Sequence, residues 1–135
     1  MTTVRCRGVR GATFVSEDTP DAILSATREL LAAIATANGI ATEDIASAFF
    51  TTTVDLRSVF PARAARELGW GDVPLLGATE MDQPQGARRC IRVLLHWNTP
   101  RRQNEIVHVY LRGSDVMRAQ DPPSHLAGDA PRSEI

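Results

Sequence analysis

Five side chains in this sequence could act together on an anion: Arg10, Arg92, Tyr110 and Arg118 as donors, with Glu80 as the acceptor among them. Each donor lies in or just after a stretch patterned like a strand, where apolar neighbours hold a side chain rigidly. Arg is rarely buried without a partner, and several guanidinium forks aimed at one cleft would form a dry receptor for carboxylates. In a strand, Cys90, Arg92, Leu94 and His96 share one face. A charge in such a run is either paired with an internal carboxylate, set at a sheet rim, or aimed into a cleft; the pattern leaves all three open. Arg10 stands between Gly8 and Gly11, which would permit close backbone approach to a ligand or mark a turn-edge bulge. Tyr110 also fits a half-buried strand tyrosine, with His108 on its face as a structural histidine. Glu80 is either the ion-pair partner of the arginines or an acceptor for a ligand hydroxyl. Arg63 and Arg66 share a face of a short helix, and Glu67 is spaced for a solvated salt bridge to Arg63.

Other chemistries find little support. There is no GxSxG, P-loop or Rossmann glycine pattern, and no Cys–His pair with local context. His96 and His125 lack HxH or HExxH surroundings, so no metal is expected. Cations, one phenol and one carboxylate suit a reaction that needs charge stabilisation and a pre-organised substrate shape.

The elements that must position these groups follow from periodicity. Residues 4–15 alternate as a strand. Thr19-Pro20 is a helix start, with Thr19 as N-cap and Pro20 in the first turn. Ile23, Ala26, Leu30, Ala33, Ile34 and Ala37 then recur at helical spacing until Asn38-Gly39 stops them. Ile45 to Val54, with Phe49, Phe50 and the Thr51-Thr52-Thr53 run, predicts a strand. Phe60-Pro61 opens a short helix ending at Gly69. Two short extended pieces are expected at 70–76 and 78–82, then a turn at Gln83-Pro84-Gln85-Gly86. Residues 89–97 alternate most cleanly, Asn98-Thr99-Pro100 should end that strand, and 106–111 is a last one. Residues 1–118 read as a single domain, and 119–135, with three prolines and a glycine, as a mobile tail. The sum is an α/β (α+β) fold, a mixed sheet of about five strands with one long and one short helix. Two such helices cannot cover both sheet faces, so an open face and oligomerisation are expected.

The composition fits this reading. The chain has 135 residues, 43% of them hydrophobic, and a net charge of −1, which offers no global attraction to nucleic acid or acidic membrane. All 15 basic residues are Arg, which a GC-rich coding bias would also produce. Cys6 and Cys90 form no CxxC pair and fit a reducing cytoplasm; both are expected to be buried as small hydrophobes. No apolar run approaches the ~18 residues that span a membrane, and no signal-peptide core follows the N-terminal arginines.

Six segments carry a resemblance: Arg7-Gly8-Val9-Arg10-Gly11-Ala12-Thr13; residues 59–68, Val-Phe-Pro-Ala-Arg-Ala-Ala-Arg-Glu-Leu; Val73-Pro74-Leu75; Glu80-Met81; Cys90-Ile91-Arg92-Val93; and His108-Val109-Tyr110-Leu111. In order and spacing across residues 4–118 they resemble the small monofunctional chorismate mutases of the trimeric α/β type, not the all-helical type. The resemblance implies a homotrimer built around a barrel-like centre of sheets, with each active site between neighbouring subunits. It implies an isomerase that converts chorismate to prephenate by a Claisen rearrangement without any cofactor, in aromatic amino acid biosynthesis in the cytoplasm. Arg92 would donate to the ether oxygen and a carboxylate, Arg10 and Tyr110 would hold the side-chain carboxylate, and Glu80 would accept from the ring hydroxyl. Phe60, Ala62, Arg63 and Arg66 would come from the adjacent subunit. Leu75, Leu76 and Gly77 would line the ring, and Arg118 with the residues after it would close the mouth. Gly77 stands where a Cys or Ser is expected, Leu76 where a small polar residue is common, and Arg63 where Lys is usual. Residues 69–72 are one shorter than the family pattern. The alternative reading is a non-catalytic trimeric binding protein for a small dicarboxylate; an intact Arg92 argues against it, because a pure binder gains little from a donor aimed at the breaking bond. An imine deaminase-like trimer lacks its own motifs here.

Overall fold

The structure is a computed structural model in which residues 3–120 are described; residues 121–135, most of the expected tail, lie outside them. Five strands form one sheet in the order β3-β2-β4-β1-β5. They are β1 (Arg5–Phe14), β2 (Ile45–Thr52), β3 (Leu75–Thr79), β4 (Cys90–Thr99) and β5 (Val109–Leu111). The β1–β4 and β2–β4 pairs are antiparallel, whereas β1–β5 and β2–β3 are parallel. The expected mixed sheet of five strands with two helices is thus the observed one.

Helix α1 (Pro20–Asn38) starts and stops where its end signals lie. Thr19 Oγ1 accepts from the Ala22 amide at 3.2 Å. Gly39 takes the left-handed conformation at φ 73° and returns its N–H to Ala35 O at 2.8 Å. Leu30, Leu31 and Ile34 of α1 pack with Val9, Phe50, Val93, Leu95 and Trp97 of the sheet and with Ala62 and Ala65 of α2 (Ala62–Glu67). Burying each large apolar side chain here contributes about 1.5–3 kcal/mol. Both helices therefore cover the same sheet face. Gly11 is what lets α1 lie so close: a Cβ there would stand 2.6 Å from Ile34 Cδ1 and 3.2 Å from Leu30 Cδ1. The glycine serves helix packing, a reason its sequence context did not show.

Neither α-helix lies on the opposite face. Along β4, Ile91, Val93, Leu95 and Trp97 are buried against the helices, while Arg92, Leu94, His96 and Asn98 alternate toward the open side. Register then sets out rows across the sheet. One row runs Ala78, Thr51, Arg92, Ala12, Tyr110; the next runs Leu76, Phe49, Leu94, Arg10. Leu76, Phe49 and Leu94 keep 60%, 41% and 36% of their surface exposed, an apolar patch beside charged neighbours.

Several boundaries differ from expectation. The pieces at 70–76 and 78–82 are one strand, β3, because Gly77 interrupts the side-chain pattern but not the ladder and pairs with Phe50. Trp70 to Val73 instead forms a turn closed by Val73 N–H to Trp70 O at 3.0 Å. Strand β4 runs on through Asn98 and Thr99, which pair with Cys6 and Arg5. Strand β5 keeps three residues, since the Val107 backbone bonds to Asn38 and not to a neighbouring strand. Cys6 is exposed, unlike Cys90: both stand on the face away from the α-helices, but Met117 packs over Cys90 and not over Cys6.

Candidate active site

Arg10, Glu80, Arg92 and Tyr110 converge on one hollow of about 390 Å³ on the open face, lined also by Thr51, Phe49 and Leu94. Four different strands or strand ends deliver them, so adjacent rows of the register make the site. Arg92 Nη1 donates to Glu80 Oε2 at 3.2 Å, and both side chains are 27% exposed. Arg92 is thus both ion-paired and cleft-lining. Glu80 leaves the end of β3 with its amide bonded to Thr52 O at 2.8 Å, and the Thr51 hydroxyl donates to its carboxylate. Thr51 was not singled out from the sequence. Its signal was only that it stands two residues from Thr53 in a β-branched run, which strand propensity already explains.

Two polar atoms of residues that line the hollow are buried without a hydrogen-bond partner among the described residues, Arg10 Nε and Tyr110 OH. Such an atom costs about 1–3 kcal/mol, a cost that a bound acceptor recovers. The backbone around them is tied down. Arg10 N donates to His108 Nδ1 at 3.0 Å. The Asn38 side chain bonds both the N–H and the C=O of Val107 at 2.8 and 2.9 Å. Ser114 Oγ donates to Ala12 O at 2.9 Å and fixes a 3₁₀ segment, Ser114–Gln120. That segment packs Met117 against Ala12 and Cys90 and sets the Arg118 guanidinium 4.4 Å from the Tyr110 ring centre, a cation–π contact. Burial pushes the Cys90 thiol up to about 12 against the opposing pull of Arg92, so beside the arginine it is a neutral filler and no nucleophile. The hollow offers guanidinium forks, a phenol and one carboxylate: a receptor for an anion that also carries a hydroxyl.

The other expected binding residues lie apart from it within one chain. Phe60, Ala62, Arg66, Leu75 and Gly77 line a separate cleft of about 670 Å³ between β3 and the start of α2. Phe60 is 78% exposed at its edge. Arg63 reaches Glu67 at 3.2 Å, and Glu67 also holds Arg28 at 3.3 Å, which is the solvated pair its spacing suggested. Leu76 alternates to the open face, away from Leu75 and Gly77. The Asp18 carboxyl is held below its ordinary range, first by the Arg57 amide and then by the Ser58 hydroxyl; it ties down the loop that leads to Phe60.

Residues 6–121 match the family model for chorismate mutase type I. The chain belongs to that family. It is 54% identical over 113 residues to a chorismate mutase AroH of Thermus thermophilus, covering 83% of this chain and 93% of that one. To the chorismate mutase AroH of Bacillus subtilis (strain 168) it is 44% identical over the same length, covering 89% of that protein. Among solved structures, a chorismate mutase from Clostridium thermocellum superposes with a TM-score of 0.79 at 45% identity, covering 81% of this chain and 97% of that one. The type I chorismate mutase family is therefore supported by sequence and fold alike, and the relatives are named as enzymes, not as binding proteins. Among the described residues no helix is long and apolar enough to cross a membrane.

Proposed function

We propose that this chain catalyses the rearrangement of chorismate to prephenate, with the hollow at Arg10, Glu80, Arg92 and Tyr110 as one wall of its active site. The observation that carries the reading is the pair of buried atoms without a partner among the described residues, Arg10 Nε and Tyr110 OH, on two residues that line the same hollow as the Arg92–Glu80 pair. The reaction is unimolecular and needs no proton transfer, covalent intermediate or cofactor. The ether C–O bond breaks ahead of C–C bond formation, so negative charge grows on the ether oxygen. The Arg92 guanidinium stabilises that oxygen and is already aimed by Glu80, which costs no reorganisation at the moment of reaction. Arg10 and Tyr110 hold the side-chain carboxylate and with it the compact conformer that reacts. Glu80 accepts from the ring hydroxyl.

In the same reading the enzyme is a homotrimer, and the walls missing from the hollow come from a neighbour: Phe60, Ala62, Arg63 and Arg66, with Leu75, Leu76 and Gly77 along the ring. Arg118, stacked on Tyr110, closes the mouth. The uncovered sheet face with exposed Phe49, Leu76 and Leu94 supports that assembly. The product feeds phenylalanine and tyrosine synthesis.

The test is direct. Purified protein is mixed with chorismate without metal or nucleotide, its absorbance is followed, and the product is identified as prephenate. Arg92→Ala should lower kcat by at least about 10²–10³-fold, the usual cost of one transition-state donor, while the oligomer stays folded. Native-rate turnover by that variant would refute the mechanism.

A further inference from the structure

We infer that Thr51 is a positioning residue for this rearrangement: its hydroxyl fixes the Glu80 carboxylate, and that carboxylate aims the Arg92 guanidinium. The inference rests on the functional reading above, since it presumes that Arg92 acts on the breaking bond.

Thr51 stands directly across from Arg92 in the β2–β4 ladder, on the open face. Its Oγ1 donates to Glu80 Oε2, the same oxygen that receives Arg92 Nη1. One carboxylate oxygen therefore joins a neutral donor on β2 to the cation on β4. Among the described residues no other neutral side chain holds the Glu80 carboxylate. Its backbone is fixed by the Thr52 carbonyl, but its side chain is partly exposed at a strand end, before the chain leaves the sheet. A free Glu there would sample several rotamers and carry the guanidinium with it. Thr is suited to prevent this, because its β-branch stiffens χ1 and the hydroxyl is presented from a rigid ladder.

The neighbouring hydroxyl sharpens the argument. Thr53, two residues on and just past the end of β2, donates to Asp55 Oδ1 at 2.5 Å and accepts from the Cys90 amide at 3.0 Å. It closes backbone structure at the start of β4. Thr51 Oγ1 makes no such backbone bond among the described residues. Its partner is the side chain of the site, which is what a positioning role requires and a structural role does not.

Thr51→Val keeps the shape and strand preference and removes only the hydroxyl. In the full-length protein kcat should fall about tenfold, the lower end of what losing an outer-shell partner costs, with KM and melting temperature close to wild type. Thr51→Ser should restore most of kcat. In a Glu80→Gln background the Val substitution should add little, because the two act through one link. Wild-type kcat in Thr51→Val, a loss that Ser fails to restore, or full additivity with Glu80→Gln would each overturn the inference. Should Val not fold, Thr51→Ala carries the same expectations. A wild-type protein inactive on chorismate would instead sink the functional reading, and this inference with it; an active wild type matched by Thr51→Val would sink the inference alone.

Discussion

Tyr110→Phe should make the free protein more stable and the enzyme worse. The Tyr110 hydroxyl is buried and has no partner among the described residues, so the unliganded fold carries its desolvation cost of about 1–3 kcal/mol. Phe keeps the ring, its packing near Met117 and Ala12, and the face that Arg118 lies over. Only the oxygen goes. Allowing for the small void it leaves, a net gain of about 1 kcal/mol remains, or about 3–5 °C in Tm for a chain of this size. Binding runs the other way. A hydrogen bond to a substrate carboxylate is charge-assisted and contributes about 1.5–3 kcal/mol, so affinity for chorismate or a transition-state-like dicarboxylate should fall about 10- to 100-fold. The assay is a thermal melt with and without the dicarboxylate, together with steady-state kinetics. Wild type should melt lower when free but gain more on ligand addition, because the ligand-induced rise scales with affinity. A variant that melts below wild type and binds as tightly would refute the reasoning. The hydroxyl would then be satisfied in the free protein and would not face the ligand.

Four further outcomes follow from groups elsewhere in the fold. Gly11→Ala should lower the unfolding free energy from denaturant titration by about 1–2 kcal/mol, since its Cβ would sit 2.6 Å from Ile34 Cδ1 in the α1 contact. An aromatic disulfide reagent at pH 8 should titrate Cys6 quickly and Cys90 only after denaturation. With Cys90 raised from 9.0 to about 12 by burial, the folded state keeps a proton that the unfolded chain loses. That part of the stability is whole below pH 9 and lost as pH rises toward 12, which alkaline melts of wild type against Cys90→Ala would show. Asp18 has the opposite sign: its carboxyl is lowered from 3.8 by the Arg57 and Ser58 donors. Its contribution is present above pH 3.8 and lost as pH falls through the depressed value, and Asp18→Asn should flatten that acid limb of the melting profile.

Much of the fold was legible because its signals are local. Thr19-Pro20 and Asn38-Gly39 delimit α1 in the sequence as they do in the structure, and the alternation of residues 90–97 gives both the strand and the face on which Arg92 stands. Where the sequence misled, the deciding partner was far along the chain. Gly77 breaks a side-chain pattern, yet β2 supplies its ladder. Asn98 and Thr99 look like a strand end, yet β1 pairs with them. Gly11 gives no local sign that a helix some 20 residues on packs against it. The site behaves likewise. Its residue types are visible, and the resemblance supplies their roles, but nothing local says that Thr51 gives its hydroxyl to Glu80, because that bond spans two strands joined by a helix and a turn.

The precision of the hollow depends on register. A slip of one residue in any strand would send its side chain to the helix-covered face, and β5, which carries Tyr110, pairs through only three residues. Three residues are too few to fix a register by ladder bonds alone. The needed specificity comes from side chains that bond backbone on either side of it: Asn38 grips Val107, His108 accepts the Arg10 amide, and Ser114 grips Ala12. Two of these three partners, Arg10 and Ala12, belong to the strand that β5 pairs with. The same bonds that lock β5 therefore set Tyr110 against Arg10, and the central strand β4 sets Arg92 between β1 and β2. A cation whose fork must be aimed to within a fraction of an ångström is best carried on such a frame. On the mechanism proposed above, this accounts for a site made from rigid strands with Arg as its cation, since fixed charge and shape would lower the barrier.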